Sequence, residues 1–160
     1  MQQAFAQLPV IDRWKLAELR SLSRSELDAD LDPLTGMTLV LKLNEINVMA
    51  TAYLRDELQS LEQDTRLAIF MQSHRSVFIN VLLYEFYHYV FPGADGETRE
   101  LQYQRLCRRY FNLKMLCALF VQNDLPLDDE TLSALFAAWQ RTPEVADSDN
   151  PLLAGISLLR

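Results

Sequence analysis

The chain has 160 residues, 49% of them hydrophobic and 10% aromatic, with four glycines, six prolines and a formal net charge of −7. A chain of this length is one domain that buries roughly 70% of its unfolded surface, and its apolar share excludes a disordered segment. The acidic balance argues against general binding to nucleic acid or to anionic membranes, because both rely on Lys and Arg.

The amino terminus, Met1-Gln2-Gln3-Ala4-Phe5-Ala6, lacks the positive start and apolar run of a secretory leader. The longest apolar stretches, residues 77–83 and 115–121, fall short of the about 18 residues that cross a bilayer. The expected location is therefore the cytosol.

A first helix is expected from Asp12 to Leu22, with Asp12 as cap and Trp14, Leu16, Leu19 and Leu22 as its apolar stripe. Residues 23–35 hold a short turn capped by Ser25 and ended by Asp32-Pro33. Gly36 precedes a long helix. Its stripe runs through Leu39, Leu43, Ile46, Met49, Ala50 and Tyr53 and on to Leu54, Leu58 and Leu61, while Asp56, Glu57, Glu62 and Asp64 take the wet face. A helix from Asp64 to Val90 is apolar on most sides and is expected to be the central, buried one. Phe91-Pro92-Gly93 stops it.

Residues 97–123 form the next long helix, with Leu101, Leu106, Tyr110, Leu113, Leu116, Leu119 and Phe120 inward. Asn123-Asp124-Leu125-Pro126 breaks it. Asp128 then caps a helix from Asp129 to Arg141 with Leu132, Leu135, Phe136 and Trp139 on its apolar face. The tail 143–160 is acidic and expected to be loose, with room for a short helix at 152–159. The sum is a single all-α domain over residues 1–160, an antiparallel bundle of five or six helices.

Cys107 and Cys117 fall on one helix, about 15 Å apart along its axis, too far for a disulfide. They read as buried thiols, and two cysteines cannot supply the four ligands of an iron–sulfur cluster. Glu85-Phe86-Tyr87-His88 is one Glu-x-x-His pair, where a di-iron bundle needs two, so no metal site is expected. No serine or cysteine has a neighbouring base, and there is no Gly-rich phosphate loop or dinucleotide fingerprint. The chain as it stands carries no complete catalytic site, and no cofactor is indicated by its own residues.

Two polar constellations stand out. Arg105, Arg108 and Arg109 share one side of a helix by their i, i+3 and i+4 spacing, and Arg99 lies two turns earlier on it. They form either a solvated face balanced by Glu97 and Glu100 or a small docking patch for an acidic partner. Asn80 and Tyr84 share a face of one apolar helix, and Tyr110 and Lys114 share a face of another. They form either a hydrogen-bond network that fixes the register of the bundle or a polar pocket between the two helices.

The run Asn80-Val81-Leu82-Leu83-Tyr84, then Phe91-Pro92, then Arg109-Tyr110-Phe111-Asn112-Leu113-Lys114-Met115-Leu116, resembles the C-terminal helical region of the flagellin lysine-N-methylases. That family has an Asn-x-x-x-Tyr segment, a Phe-Pro break, a Tyr-x-x-x-Lys-Leu-Leu helix and then an acidic, capped helix, which residues 127–141 match here. The likeness covers residues 39–141. It implies methyl transfer from S-adenosylmethionine to lysines of flagellin in the cytoplasm, with an iron–sulfur centre held by a cysteine-rich N-terminal region. This chain has no such region, so cluster and methyl donor are implied only for a full-length member. Either the chain is the C-terminal part of a longer enzyme or it is a free-standing relative without the chemistry.

The first expectation is thus a scaffold or substrate-docking domain, with flagellin or another protein as partner and Asn80, Tyr84, Arg105, Arg108, Arg109, Tyr110 and Lys114 as candidate contacts. The alternative is a stand-alone cytosolic adaptor or chaperone-like protein without enzymatic activity. An exposed apolar groove favours the adaptor, and a polar pocket between the Asn80 and Lys114 helices favours the methylase-like reading.

Overall fold

The computed structural model of the chain describes residues 9–22, 31–88 and 98–141, and every regular element among them is an α-helix. The helices are α1 (Pro9–Leu22), α2 (Pro33–Val48), α3 (Thr51–Gln63), α4 (Thr65–Ser73), α5 (Arg75–His88), α6 (Arg99–Gln122) and α7 (Asp129–Arg141). The all-α class is as expected. Asp12 does not cap the first helix, which begins at Pro9 and runs through it. The turn read at Ser25, the break at Phe91-Pro92-Gly93, the place of Trp14 on its stripe and the tail 143–160 lie outside the described residues and side chains.

Among the described residues seven helices stand where fewer were expected, because two long segments break. Asp32-Pro33 opens a helix: the Asp32 carboxylate accepts from Thr35 N at 2.8 Å, and Pro33 takes the first turn, where its missing N–H costs nothing. The expected helix through residue 61 stops at Val48, because Met49 and Ala50 are extended, with ψ of 136° and 149°. Arg20 on α1 braces that corner, its Nη2 donating to Met49 O at 3.4 Å and to Thr51 Oγ1 at 3.3 Å. The expected helix 64–90 breaks at His74. The His74 ring stacks on Phe70 at 4.3 Å between centroids, and its backbone N–H donates to Phe70 O at 3.0 Å. Between the two breaks, Asp64 both ends α3 and caps α4, accepting from Arg66 N at 2.8 Å.

The central helix is α6, not the more apolar α5. It packs against α1, α2, α3, α4 and α7. From Met115 to Val121 it is apolar on every side, and Leu113, Met115, Leu116, Leu119 and Phe120 are fully buried. Each such side chain contributes roughly 1.5–3 kcal/mol of transfer free energy. Leu16, Leu19 and Leu22 of α1, Leu39, Leu43 and Ile46 of α2, Leu54, Leu58 and Leu61 of α3, and Leu132, Leu135 and Trp139 of α7 complete the core around it. On α5, by contrast, only Phe78 and Glu85 are buried, while Ile79, Leu83, Tyr84 and Tyr87 are exposed.

The ends of α6 show why it runs so long. Thr98 caps its start, accepting from Leu101 N at 3.3 Å. At its end the Asn123 side chain donates to Leu119 O at 2.7 Å, and Asp124 takes a left-handed conformation with φ of 53°. That turn brings Leu125 N back to Phe120 O at 3.0 Å and releases the chain toward α7. Asp128 then caps α7 as expected, accepting from Thr131 N at 2.8 Å.

Candidate functional site

The arginine cluster on α6 is divided between two sides of the bundle. Arg108 is buried against α1, its Nε donating to Glu18 Oε1 at 2.8 Å. Asn112, one turn on, donates its amide to Glu18 Oε2 at 3.0 Å. Glu18 is only 2% exposed, so its charge is matched at both oxygens by groups from one helix. The Asn112 carbonyl oxygen, also buried, has no hydrogen-bond partner. Arg109 turns the other way. Its Nε and Nη2 donate to the two oxygens of Glu85 on α5, at 2.8 and 3.3 Å. Its guanidinium also lies 4.8 Å from the ring centroid of Trp139 on α7, and the Trp139 indole donates to Arg109 O at 3.0 Å. One residue therefore ties α5, α6 and α7 together. Arg105 is half-buried on the same helix. Neither the solvated face balanced by Glu97 and Glu100 nor an exposed docking patch describes Arg108 and Arg109.

Asn80 and Tyr84 lie together on α5, both exposed, as the shared helical face requires. They do not meet Lys114. Their neighbours are Val77, Val81, Phe136, Trp139 and Gln140, with which they line an open groove of about 280 Å³ between α5 and α7. Phe78, buried next to Val77, makes edge-on contact with Phe136 at 6.0 Å and with Tyr110 at 6.4 Å. Tyr110 is therefore a half-buried packing residue, and burial pushes its phenol upward. Lys114 points toward α3, where its Nζ is 3.9 Å from Glu62 Oε1. Lys15 of α1 holds the same carboxylate at 2.9 Å. Where the second of the two readings puts a polar pocket between the Asn80 and Lys114 helices, there is an apolar groove on one side and a three-helix ion cluster on the other.

Sequence reasoning misses the acidic members of the network that does fix helix register, Glu18–Arg108–Asn112 with Glu85–Arg109–Trp139. The signal is present. Glu85 falls seven residues after Phe78, on the same face, and Glu18 falls four before the buried Leu22, so each carboxylate sits on an apolar stripe. A buried carboxylate requires a partner, and the Arg108–Asn112 and Arg109–Leu113 faces of α6 supply it.

The remaining chemistry is sparse. His88 stacks on Tyr84 at 5.1 Å, and Glu85 is committed to Arg109, so the Glu-x-x-His pair does not converge. Among the described residues, no three His, Cys, Asp or Glu side chains gather as metal ligands. Ser73 Oγ lies 2.9 Å from His74 Nδ1, but both also contact Phe70 O at the end of α4, which makes them a helix terminus. Cys107 is half-buried and Cys117 is buried, and burial pushes the Cys117 thiol up to about 12. Two such thiols on one helix do not fit the four-thiolate set of an iron–sulfur cluster. The α5–α7 groove, whose lining carries no ionised group, does not fit the charged ends of S-adenosylmethionine.

A family model described as the FliB lysine N-methylase C-terminal domain matches residues 1–151. No curated protein matches the chain. No solved structure matches it.

Proposed function

Since the chain belongs to the family of the FliB lysine N-methylase C-terminal domain, we propose that it is the scaffolding and substrate-docking part of a protein-lysine methylase whose substrate is flagellin. The family match over residues 1–151 carries this reading; the surface it assigns to docking is the α5–α7 groove, rimmed by Asn80, Tyr84 and Gln140 and backed by the Glu85–Arg109–Trp139 lock, although its apolar lining is the mark set for the adaptor. A groove with an apolar floor and amide and phenol rims takes a protein segment: the floor supplies area and the rim supplies orientation. The helices that form it are pinned by a buried ion pair, so its shape is set before a partner arrives. In this reading the iron–sulfur cluster and the methyl donor belong to another region of the enzyme, and this domain acts in the cytoplasm.

Arg108, Arg109 and Lys114 serve this function from behind, by holding α1, α5 and α3 onto α6. Tyr84→Ala and Asn80→Ala should each weaken flagellin binding by about tenfold, the cost of an ordinary interface contact, with an unchanged helical spectrum. Titration calorimetry with purified flagellin measures this. Equal affinity in both variants removes the docking claim.

A second reading is favoured by a specific observation. The groove is apolar and the outer faces of α2 and α5 expose large hydrophobic side chains, which also suits a free-standing cytosolic adaptor. An immunoblot of source cells with an antibody to this domain separates the two. A band far above 18.5 kDa supports the enzyme part, and a band at that mass supports the adaptor.

A further inference from the structure

Helix α2 is apolar on two opposite faces. Leu39, Leu43 and Ile46 are buried against the core. At 100° per residue, the side chains opposite them are Leu34, Met37, Leu41 and Val48, which are 58–82% exposed, with Val40 on the flank. Leu34, Met37, Leu41 and Val48 recur at steps of three, four and seven. That is the spacing of a coiled-coil seam, with Asn44 at the one position that completes it.

We propose that this strip is a self-association surface, and that its occupant is the same strip of a second copy of this chain. Three features select a copy over another partner. The seam holds no ionised group: Lys42 is turned away to Glu57 at 3.1 Å, and Glu45 stands at the rim. A partner recognised by opposite charge would find nothing there to pair with. Asn44, the lone polar seam residue, carries both donor and acceptor, so an identical amide across a two-fold axis satisfies it and fixes the register. The extent also suits a pair. Sixteen residues of helix span about 24 Å, and laying that strip on its copy buries on the order of 1,000 Å² in total, the lower bound of a specific interface. The expected dimer is therefore reversible and concentration-dependent. The strip lies on a helix other than the two that form the α5–α7 groove, so pairing leaves the groove open.

The test is sedimentation velocity on the full chain from low micromolar to several hundred micromolar. The expected result is a mass that climbs from 18.5 kDa toward twice that value. Leu41→Glu, at an exposed position, sets two carboxylates against each other across the axis. It should raise the dissociation constant on the order of a hundredfold with no change in helical content. Asn44→Cys should form an intermolecular disulfide under mild oxidation. Gln59→Cys, at an exposed position of α3 away from the strip, is the comparison and should not cross-link. A chain that stays monomeric at every concentration overturns the proposal. A dimer that survives Leu41→Glu overturns it as well, by placing the contact elsewhere.

Discussion

Glu85 and Arg109 face each other through two hydrogen bonds, at 2.8 and 3.3 Å, with side chains only 3% and 11% exposed. Removing either partner strands the other charge in the protein interior. Arg109→Ala and Glu85→Ala should each cost about 3–5 kcal/mol. Replacing both by apolar side chains of similar volume should cost far less. Urea denaturation of the three variants checks this, and equal losses in single and double variants would mean that packing, not charge, dominates.

The Glu18 network gives a graded version of the same test. Glu18→Ala leaves Arg108 without its buried carboxylate, whereas Asn112→Ala removes one neutral donor and an acceptor that has no partner. The first should cost about 3–5 kcal/mol and the second about 1 kcal/mol beyond its cavity. Denaturation midpoints of the two variants rank them.

The centre of the fold can be located by truncating side chains on the two rival helices. Leu119→Ala on α6, a fully buried site, should cost about 3–5 kcal/mol. Tyr87→Ala on α5, 81% exposed, should change thermal stability within error. The reverse order would make α5 the core helix after all.

Three aspartates make stability acid-sensitive. The backbone N–H of Thr35 holds Asp32 below its usual 3.8, the Arg66 guanidinium and then its N–H do so for Asp64, and the Thr131 N–H does so for Asp128. A carboxyl whose folded value is depressed stabilises the fold above its unfolded value, and that stabilisation is lost as pH falls through the folded one. The thermal midpoint should therefore stay level down to about pH 4 and fall below it. Asp128→Asn keeps a capping oxygen but does not titrate, so its midpoint should fall less steeply over the same window.

Thiol chemistry should separate the two cysteines. With the Cys117 thiol pushed up to about 12 and its side chain buried, a thiol-disulfide reagent at neutral pH should leave it untouched in the folded chain. Cys107, half-buried and also shifted upward, should react slowly. Both should react at once in denaturant, and fast native labelling of Cys117 would contradict its burial.

Local pattern carries the helical class and most of the ends. Asp128 and the Asn123–Pro126 break sit where capping and breaking chemistry put them, because those signals act within four residues. The breaks at Met49-Ala50 and His74 are not legible, since no Gly or Pro marks either. The first is braced from another helix by Arg20, and the second rests on a histidine ring that folds back on Phe70. The central helix is misplaced for a related reason. Apolarity on all sides of α5 reads as burial, yet a helix can hold one apolar face to the core and leave the other outside. At the site, helical spacing pairs Asn80 and Tyr84 correctly. Their neighbours on α7 are out of its reach, because residues 136–140 come from a helix whose placement depends on tertiary packing.

The bond from Glu18 to Arg108 spans 90 residues of chain, and the one from Glu18 to Asn112 spans 94. During synthesis, α1 leaves the ribosome long before either of those partners exists. At about 5–20 residues per second, that interval lasts several seconds. For that time Leu16, Leu19 and Leu22 have α2 and α3 beside them but lack the central helix. The nascent chain must hold α1 in reserve for this partner, and the core closes late, when α6 arrives.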